Sequence, residues 1–553
     1  MQQQLREYAF PLLLAAAFIV VGSLPYIYGY ATAPPDQRFM DVVGRGTTGA
    51  QGYFMFARQV QDGGHLMQNL YTPSPTPQTY FNLEWWLFGK SAAWTGLSLP
   101  AMFHIWRVAT VVGYMCAVYF LVSLCLASVG ARRYVLLLIT LGSGLGWIVW
   151  CVNRAGGLGL PIPLDLLGVC TPGYLVNKPH FIRACMFAAL TYGFMLTGER
   201  TDRRRWFVLS GVCALAHAVI RPFPIPETYL IYAAFPLLLN LRGGYWSWRR
   251  IGNYAIAGAI VLPAAVYYAY MAHENTLGME GWRQPSRFLL EIVLWLGWPF
   301  AVTCAYFVLR GFRPAAIRAA SPPAIFLGLW LFTAYLLANA YPYYPVGHES
   351  AFYAFTIVPP LAVILGAWPA LRDAVSHWRP ALAQRLFTPG RIRLLAAVLL
   401  LAAMPSTVYV YANFFRDLHR ERPEVSWRYY VHEDVIAAIH EVEQHAGARV
   451  QAGRPLVLTG PGIGAVIPRF ADVRVVTGHA MLTPNFGKKN QLVHRFFHVP
   501  ADHGWKRWLV GRYGVDYVLA GDEERRAGGL NAEAIPWLMP IFDRPHATLY
   551  AVR

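Results

Sequence analysis

The sequence predicts a mainly α protein: a polytopic transmembrane helical bundle with a C-terminal extracytoplasmic α/β domain. Three observations carry this. Of 553 residues, 56% are hydrophobic and only 14% are charged, a balance foreign to most soluble domains. Long apolar stretches alternate with short loops, and every second loop carries the arginines. Beyond about residue 413 the pattern changes to short apolar runs interleaved with helical ones, as in a small α/β domain.

A helix needs roughly 20 apolar residues to cross a bilayer core. About eleven segments reach that length: 8–30, 101–128, 134–152, 181–198, 206–221, 225–241, 252–272, 288–309, 324–341, 353–370 and 394–413. The first is too long for a simple secretory signal and lacks a small-residue cleavage site, so it reads as a retained span. The pair 206–241 is interrupted by Arg221, Pro222, Pro224 and Pro226. The arginine loops are Arg132-Arg133, Arg200 to Arg205, Arg242 to Arg250, Arg310 to Arg318 and Arg372 to Arg393. Basic residues near spans stay on the cytoplasmic side. With the N-terminus inside, all these clusters fall inside, and the tail after the eleventh span falls outside. The expected division is a membrane domain, 1–413, with a large first outer loop, 31–99, and an extracytoplasmic α/β domain, 414–553. In a bacterium this is a multi-pass protein of the inner (plasma) membrane whose C-terminal domain is periplasmic or extracellular.

The net charge of +18 does not indicate nucleic acid, because the arginines are spread over loops where they set topology and meet anionic lipid heads. The seven cysteines lie within or beside apolar spans. They show neither CxxC nor Cys/His spacing, so no disulfide framework or zinc motif is indicated.

In the first outer loop, GYFMFARQVQDG (Gly52 to Gly63) has helical spacing, with Tyr53, Phe56, Ala57 and Val60 on one side. An interfacial helix with that face on lipid or on the spans is expected. YTPSPTP (Tyr71 to Pro77) breaks helix. FNLEWWLFG (Phe81 to Gly89) is aromatic enough for the headgroup level. LGSGLGW (Leu141 to Trp147) places small residues where helices pack closely. In the tail the expected elements are a helix at 431–446, strands Leu456 to Thr459 and Val473 to Val476, helices near 488–498 and 504–513, and strands Tyr517 to Ala520 and Thr548 to Val552. GPGIG (Gly460 to Gly464) lacks the full GxGxxG pattern and reads as a strand-to-helix turn.

Several of these segments, in order, resemble the GT-C superfamily of polytopic glycosyltransferases, in its uncharacterised bacterial branch. They are APPDQRFMD with the following GYFMFARQVQDG, LYTPSPTPQTYFNLEWWLFG, LGSGLGW, NKPHF (Asn177 to Phe181), GHAMLTPNFGKK (Gly478 to Lys489) and YGVDYVLAG (Tyr513 to Gly521). The resemblance implies a polyprenyl-phosphate-linked sugar as donor. It also implies a glycan, lipid or protein acceptor, and transfer on the outer face. Two departures stand out. Family members usually carry an acid just before the tyrosine of the interfacial helix, where this chain has Gly49, Ala50 and Gly52. They also often carry one after the His-Pro or Arg-Pro that ends the fifth span. Here that place reads Arg221-Pro222-Phe223-Pro224, with the acid displaced to Glu227. Either nearby acids substitute, or catalysis has been lost.

Transfer needs a base for the acceptor proton, and cationic or metal support for the phosphate. Asp41 is the first candidate base and Asp36 the second. Solvated loop residues, or a turn cap after Pro34-Pro35, are the bland alternatives. Glu84 lies among Phe81, Trp85 and Trp86 and is a substrate-binding candidate. Lys178, His180, Arg183 and Arg221 are candidate phosphate donors at span ends, and Lys178, Arg183 and Arg221 are cations on the outer side, which the orientation rule disfavours. A lipid phosphate would account for them, and snorkelling to lipid heads is the alternative. Tyr344, His348 and Glu349, in YPYYPVGHES (Tyr341 to Ser350), offer aromatic and polar contacts for sugar or phosphate, or form an ordinary interfacial belt. The metal ligands are open, and a divalent cation is a candidate cofactor. His217 reads as a core histidine. Against the transferase stand a lipid-linked sugar transporter and a non-catalytic lipid- or partner-binding envelope scaffold.

Overall fold

The structure is a computed structural model describing residues 2–44, 47–156, 176, 178–274, 296–310, 314–340, 347–420, 428–447, 453–500, 502–528, 530 and 535–553. The chain divides into two compact units. The first comprises Met1–Ser23, Trp106–Tyr268 and Arg283–Asn413, and the second Leu24–Ile105, Ala269–Trp282 and Phe414–Arg553. Among the described residues, six helices are long and apolar enough to cross a membrane: Glu7–Ala31, Leu99–Cys125, Pro179–Thr201, Trp248–His273, Ala351–Trp378 and Pro389–His419. A seventh span results if Val129–Leu141 and Gly146–Arg154, bent by 47°, are taken together. The expected segments 206–221, 225–241 and 324–341 are also helical, as Arg204–Ile220, Ile225–Gly243 and Pro322–Ala338, outside that count.

The first unit is helical throughout its described residues. Its close packings use small side chains. A Cβ on Gly113 would meet Met186 Sδ at 2.6 Å, and one on Gly193 would meet Phe120 at 2.6 Å. The turn between Pro179–Thr201 and Arg204–Ile220 is made by Asp202 at φ 49°, a left-handed conformation that Asp tolerates. The expected span 134–152 is broken at LGSGLGW. Ser143 Oγ donates to Ala403 O at 3.1 Å, Ser406 Oγ donates to Gly144 O at 3.0 Å, and Thr407 N donates to Ser143 Oγ at 3.1 Å. Ser406 satisfies Gly144 O and Trp147 N at the bend, and Ser143 satisfies backbone groups of the facing segment 403–407, so the break leaves these groups paired.

The second unit holds a five-stranded mixed sheet of order β4-β3-β5-β7-β6. Its strands are β3 Leu456–Leu458, β4 Arg474–Val475, β5 Tyr517–Gly521, β6 Leu538–Arg544 and β7 Ala547–Val552. β3 runs parallel to β4 and β5, and β7 antiparallel to β5 and β6. Leu456, Leu458, Phe496, Leu509 and Val518 form its core with the helices Phe486–His498 and His503–Tyr513. A separate ladder pairs β1 (Gln37–Phe39) with β2 (Tyr430–His432), Gln37 opposite His432. Neither ladder strand nor β6 is foreseen in the sequence.

GYFMFARQVQDG lies in the helix Thr47–Gln61, but protein covers its apolar face. Phe54, Met55, Phe56, Ala57 and Val60 are buried. A Cβ on Gly89 of the neighbouring helix Leu83–Thr95 would sit 2.4 Å from Ala57 O. Asn82 caps that helix, its side chain accepting the amides of Glu84 and Trp85. Tyr71 of YTPSPTP donates its hydroxyl to Ala465 O at 2.9 Å, inside the helix Pro461–Phe470 that GPGIG opens. Gly464 there meets Gly478: a Cβ on Gly464 would lie 2.1 Å from Thr477 O.

That crossing has no room for a methyl group, and overpacking costs about 1–3 kcal/mol or more. Gly464→Ala should lower the melting temperature and weaken hydrogen-exchange protection in β3 and β5. Gly487→Ala, whose Cβ meets nothing within 4 Å, should leave both unchanged. Equal protection in the two variants would refute the crossing.

Candidate functional site

The cations that the orientation rule disfavours gather in the first unit. Lys178 stands at the N-cap of Pro179–Thr201, with proline in the first turn, where its fixed φ suits the helix. Arg221 stands at the C-cap of Arg204–Ile220. His180, Arg183 and Arg221 are 4%, 5% and 8% exposed. The charges of Arg221, Lys178 and Arg183 all act on His180. Phe181 is the common floor: Arg221 Cζ lies 3.8 Å and Lys178 Nζ 5.5 Å from its centroid, and the His180 ring 4.7 Å. Arg183 is held apart by Trp106, 4.2 Å from its ring centre, with Nη2 donating to Trp106 O at 3.1 Å and to the Thr110 hydroxyl. Buried cations concentrated in this way favour an oxyanion.

Glu227 is buried in the first turn of Ile225–Gly243. Its carboxylate accepts from Trp330 Nε1 at 2.7 Å and from the Tyr192 hydroxyl at 3.3 Å, inside the helical core. His217 packs edge-on against Tyr353, 5.0 Å between ring centres. Tyr344 lies outside the described residues. His348 and Glu349 fall in the first turn of Gly347–Ala362, and their side chains lie outside the described part.

Asp36, Asp41 and Glu84 belong to the second unit. Asp41 is buried at φ 57°. One of its oxygens accepts from the Tyr30 hydroxyl, and the other is ion-paired to Arg469. Arg469 also donates to Met40 O at 2.8 Å and Gln51 Oε1 at 3.0 Å, and stacks 3.9 Å from the Phe54 centroid. Asp36 is 57% exposed, its Oδ2 3.2 Å from His432 Nδ1. One ligand atom each from Asp36, His432 and His546 lie within 4.8 Å of one another and could hold a metal ion. Glu84 is buried in the first turn of Leu83–Thr95, beside Trp85, which stacks on Tyr53 at 4.4 Å.

Gly52, one of the positions where the resemblance leads to an acid, faces His479. A Cβ there would lie 3.1 Å from His479 Cδ2 and 3.3 Å from Leu482 Cδ1. His479 Nδ1 accepts the amides of Met481 and Leu482 at 3.1 and 3.2 Å. Burial pushes its imidazole down to about 4. Arg469, His432, His546 and His479 were not singled out from the sequence. No local spacing ties any of them to residues 36–52.

No protein-family model and no curated protein matches the sequence. Solved structures do match. The Archaeoglobus fulgidus oligosaccharyltransferase, tethered with an acceptor peptide, aligns at TM-score 0.56 and 13% identity, over 98% of this chain and 74% of its own. ArnT from Cupriavidus metallidurans, bound to undecaprenyl phosphate, aligns at TM-score 0.51 and 12% identity, over 98% of each chain. The arabinofuranosyltransferase AftD from Mycobacteria aligns at TM-score 0.54 and 12% identity, over 98% of this chain and 41% of its own. The archaeal enzyme has also been solved with an inhibitory peptide and dolichol phosphate, and with zinc and sulfate, each at TM-score 0.50. The chain has the fold of these GT-C superfamily glycosyltransferases, and it is a multi-pass membrane protein.

Removing one partner of a buried ion pair costs about 3–5 kcal/mol, so Asp41→Asn should markedly lower the unfolding free energy measured in urea. Adding Arg469→Met should recover part of the loss; strictly additive losses would show that the pair is not coupled. His479 supplies a pH signature. Between the ordinary value of 6.5 and about 4 the unfolded chain binds a proton that the folded chain refuses. Its contribution, about 3 kcal/mol at 1.36 per unit, is therefore complete above pH 6.5 and lost as pH falls towards 4. His479→Asn, which keeps an acceptor near the Nδ1 position, should flatten that slope in urea melts. An unchanged slope would remove His479 as the titrating group.

Proposed function

We propose that the chain is a membrane glycosyltransferase that takes a sugar from a polyprenyl-phosphate carrier and passes it to a cell-envelope acceptor. The acceptor is a glycan, lipid or protein on the outer face of a bacterial inner membrane. The observation that carries this reading is the cluster of buried His180, Arg183 and Arg221 with half-buried Lys178 in a GT-C fold. Proteins of that fold have been solved with dolichol phosphate and undecaprenyl phosphate. In the proposed topology, about eleven spans lie within residues 1–413, the N-terminus is cytoplasmic, and residues 414–553 are extracytoplasmic.

In the proposed reaction an acceptor oxygen attacks the anomeric carbon of the donor sugar. The bond from that carbon to the phosphate oxygen breaks, its electron pair stays on the phosphate, and the acceptor proton goes to a carboxylate. Arg221 and Arg183 would bind the phosphate and stabilise its growing charge, with Lys178 as a point charge. Asp41 and Asp36 are the proposed bases. Glu84, His180, Glu227, Tyr344, His348 and Glu349 remain candidates for binding donor or acceptor.

A second reading, a non-catalytic lipid-binding scaffold, is favoured by one observation. Both carboxylate oxygens of Asp41 are engaged, by Tyr30 and Arg469, so the first candidate base also ties the fold together.

Undecaprenyl phosphate should bind the protein in nanodiscs. A charge-assisted hydrogen bond contributes about 1.5–3 kcal/mol, so Arg221→Gln should weaken binding about ten- to hundred-fold. Arg391→Gln, in the first turn of the helix Pro389–Ala403, should not. Wild-type affinity in Arg221→Gln would sink the phosphate assignment. Turnover of labelled polyprenyl-phosphate sugars, lost in Asp36→Asn or in folded Asp41→Asn, would support transfer. Lipid binding without turnover on any donor would favour the scaffold.

A further inference from the structure

We propose that Asp36, His432 and His546 form a binding site for a divalent transition-metal ion, zinc by its ligand chemistry, with Asp522 orienting the two imidazoles. The residues come from three distant places in the second unit. Asp36 precedes β1, His432 ends β2, and His546 sits in the turn between β6 and β7. The ladder that pairs Gln37 with His432 brings the first two together.

Asp522 opens the helix Asp522–Arg526 and faces both rings. Its Oδ2 lies 3.0 Å from His546 Nδ1 and 3.5 Å from His432 Nε2. The contact with His546 Nδ1 is a hydrogen bond, which leaves His546 Nε2 for an ion, while His432 Nε2 also meets Gln37 Nε2 at 3.1 Å. A carboxylate behind a ligating histidine fixes its tautomer and raises its basicity. The rings themselves stack at 3.8 Å, tilted by 6°.

His432 Nδ1 adds an independent sign. It is buried and lies 3.2 Å from Asp36 Oδ2, yet the contact lacks hydrogen-bond geometry. A carboxylate oxygen and an imidazole nitrogen at this distance share a cation, either a proton on Nδ1 or a metal ion. Ligands bonded at about 2.0–2.1 Å in a tetrahedron stand roughly 3.3 Å apart, close to this separation. Two imidazoles with one carboxylate select zinc and its first-row neighbours over magnesium or calcium. The exposure of Asp36 leaves room for water at a fourth position. A bound ion would tie the chain after the first helix to β2 and to the turn between β6 and β7, and with Asp36 as a ligand the proposed base would be Asp41. Metal binding is independent of glycosyl transfer, and either can fail without the other.

The test uses the full chain in nanodiscs, tag removed and stripped with chelator, with cobalt(II) as the optical probe and zinc as competitor. One cobalt per chain is expected, with the visible bands of a low-symmetry site that zinc displaces. His432→Ala and His546→Ala should each abolish the bands, and Asp36→Asn should weaken binding at least ten-fold. Asp522→Asn should weaken it about ten- to hundred-fold. Metal should raise the melting temperature of the wild type and not of the histidine variants. Asp36 is exposed, so Asp36→Asn keeps the test valid if a histidine variant fails to fold. No stoichiometric binding, or wild-type binding in folded Asp36→Asn, would overturn the site. So would binding that survives in the double histidine variant, which would put the metal elsewhere.

Discussion

Arg469 is the interaction around which the second unit is arranged. A guanidinium buried away from water has to find acceptors, since leaving it uncompensated costs several kcal/mol. It finds Met40 O, Gln51 Oε1 and Asp41, and it lies on the face of Phe54. Each partner fixes a piece of the segment 40–54. Gln51 and Phe54 orient the helix Thr47–Gln61, and Asp41 is drawn into a positive φ that most residues avoid. The helix carrying Arg469 is in turn clamped by Tyr71 and by the Gly464–Gly478 crossing. One buried charge thus sets the course of a loop more than 400 residues away in sequence.

The same constraint explains the departure from the family pattern. The space beside Gly52 is filled by His479 and Leu482, so a carboxylate there would need both to move. His479 is held by two backbone amides and kept neutral by burial. The missing acid is therefore not an open place awaiting a substitute. The helix packs there against an imidazole, and Asp41 is engaged by Arg469.

The apolar segments and the α/β character of the tail were legible because burial imposes hydrophobic runs and periods that survive without tertiary information. The break at 142–145 was not, since the hydroxyls that make it tolerable come from Ser406, donating to Gly144 O, and Thr407, donating to Leu141 O, about 260 residues on. Nor does the periodicity of GYFMFARQVQDG say what will cover its apolar face: lipid and the helix Pro461–Phe470 ask for the same pattern. The cations at 178, 183 and 221 were legible as exceptions to a charge rule. Arg469 was not, because one arginine ending an apolar stretch in the tail carries no mark of a partner near residue 41. Asp36, His432 and His546 escaped for a similar reason. They share no spacing, and three-residue strands are too short to announce the ladder that joins them.

The aromatic floor of the basic cluster bears on what the cluster can do. A ring face attracts a cation by about 0.5–2 kcal/mol, more when the pair is desolvated, which is small against the cost of burying several like charges together. Cation–π contact alone therefore does not account for gathering Lys178 and Arg221 on Phe181 and setting Arg183 on Trp106. What a ring does supply is orientation. A guanidinium lying on an aromatic face directs its N–H groups outward from the ring, towards whatever occupies the space beside it. Arg183 is further fixed by the Trp106 carbonyl and the Thr110 hydroxyl, so little rotamer freedom is left to lose when an anion arrives. Donors held in this way bind a phosphate without reorganising, and it is in that pre-set geometry, rather than in the count of charges, that the proposed donor site differs from arginines snorkelling to lipid heads.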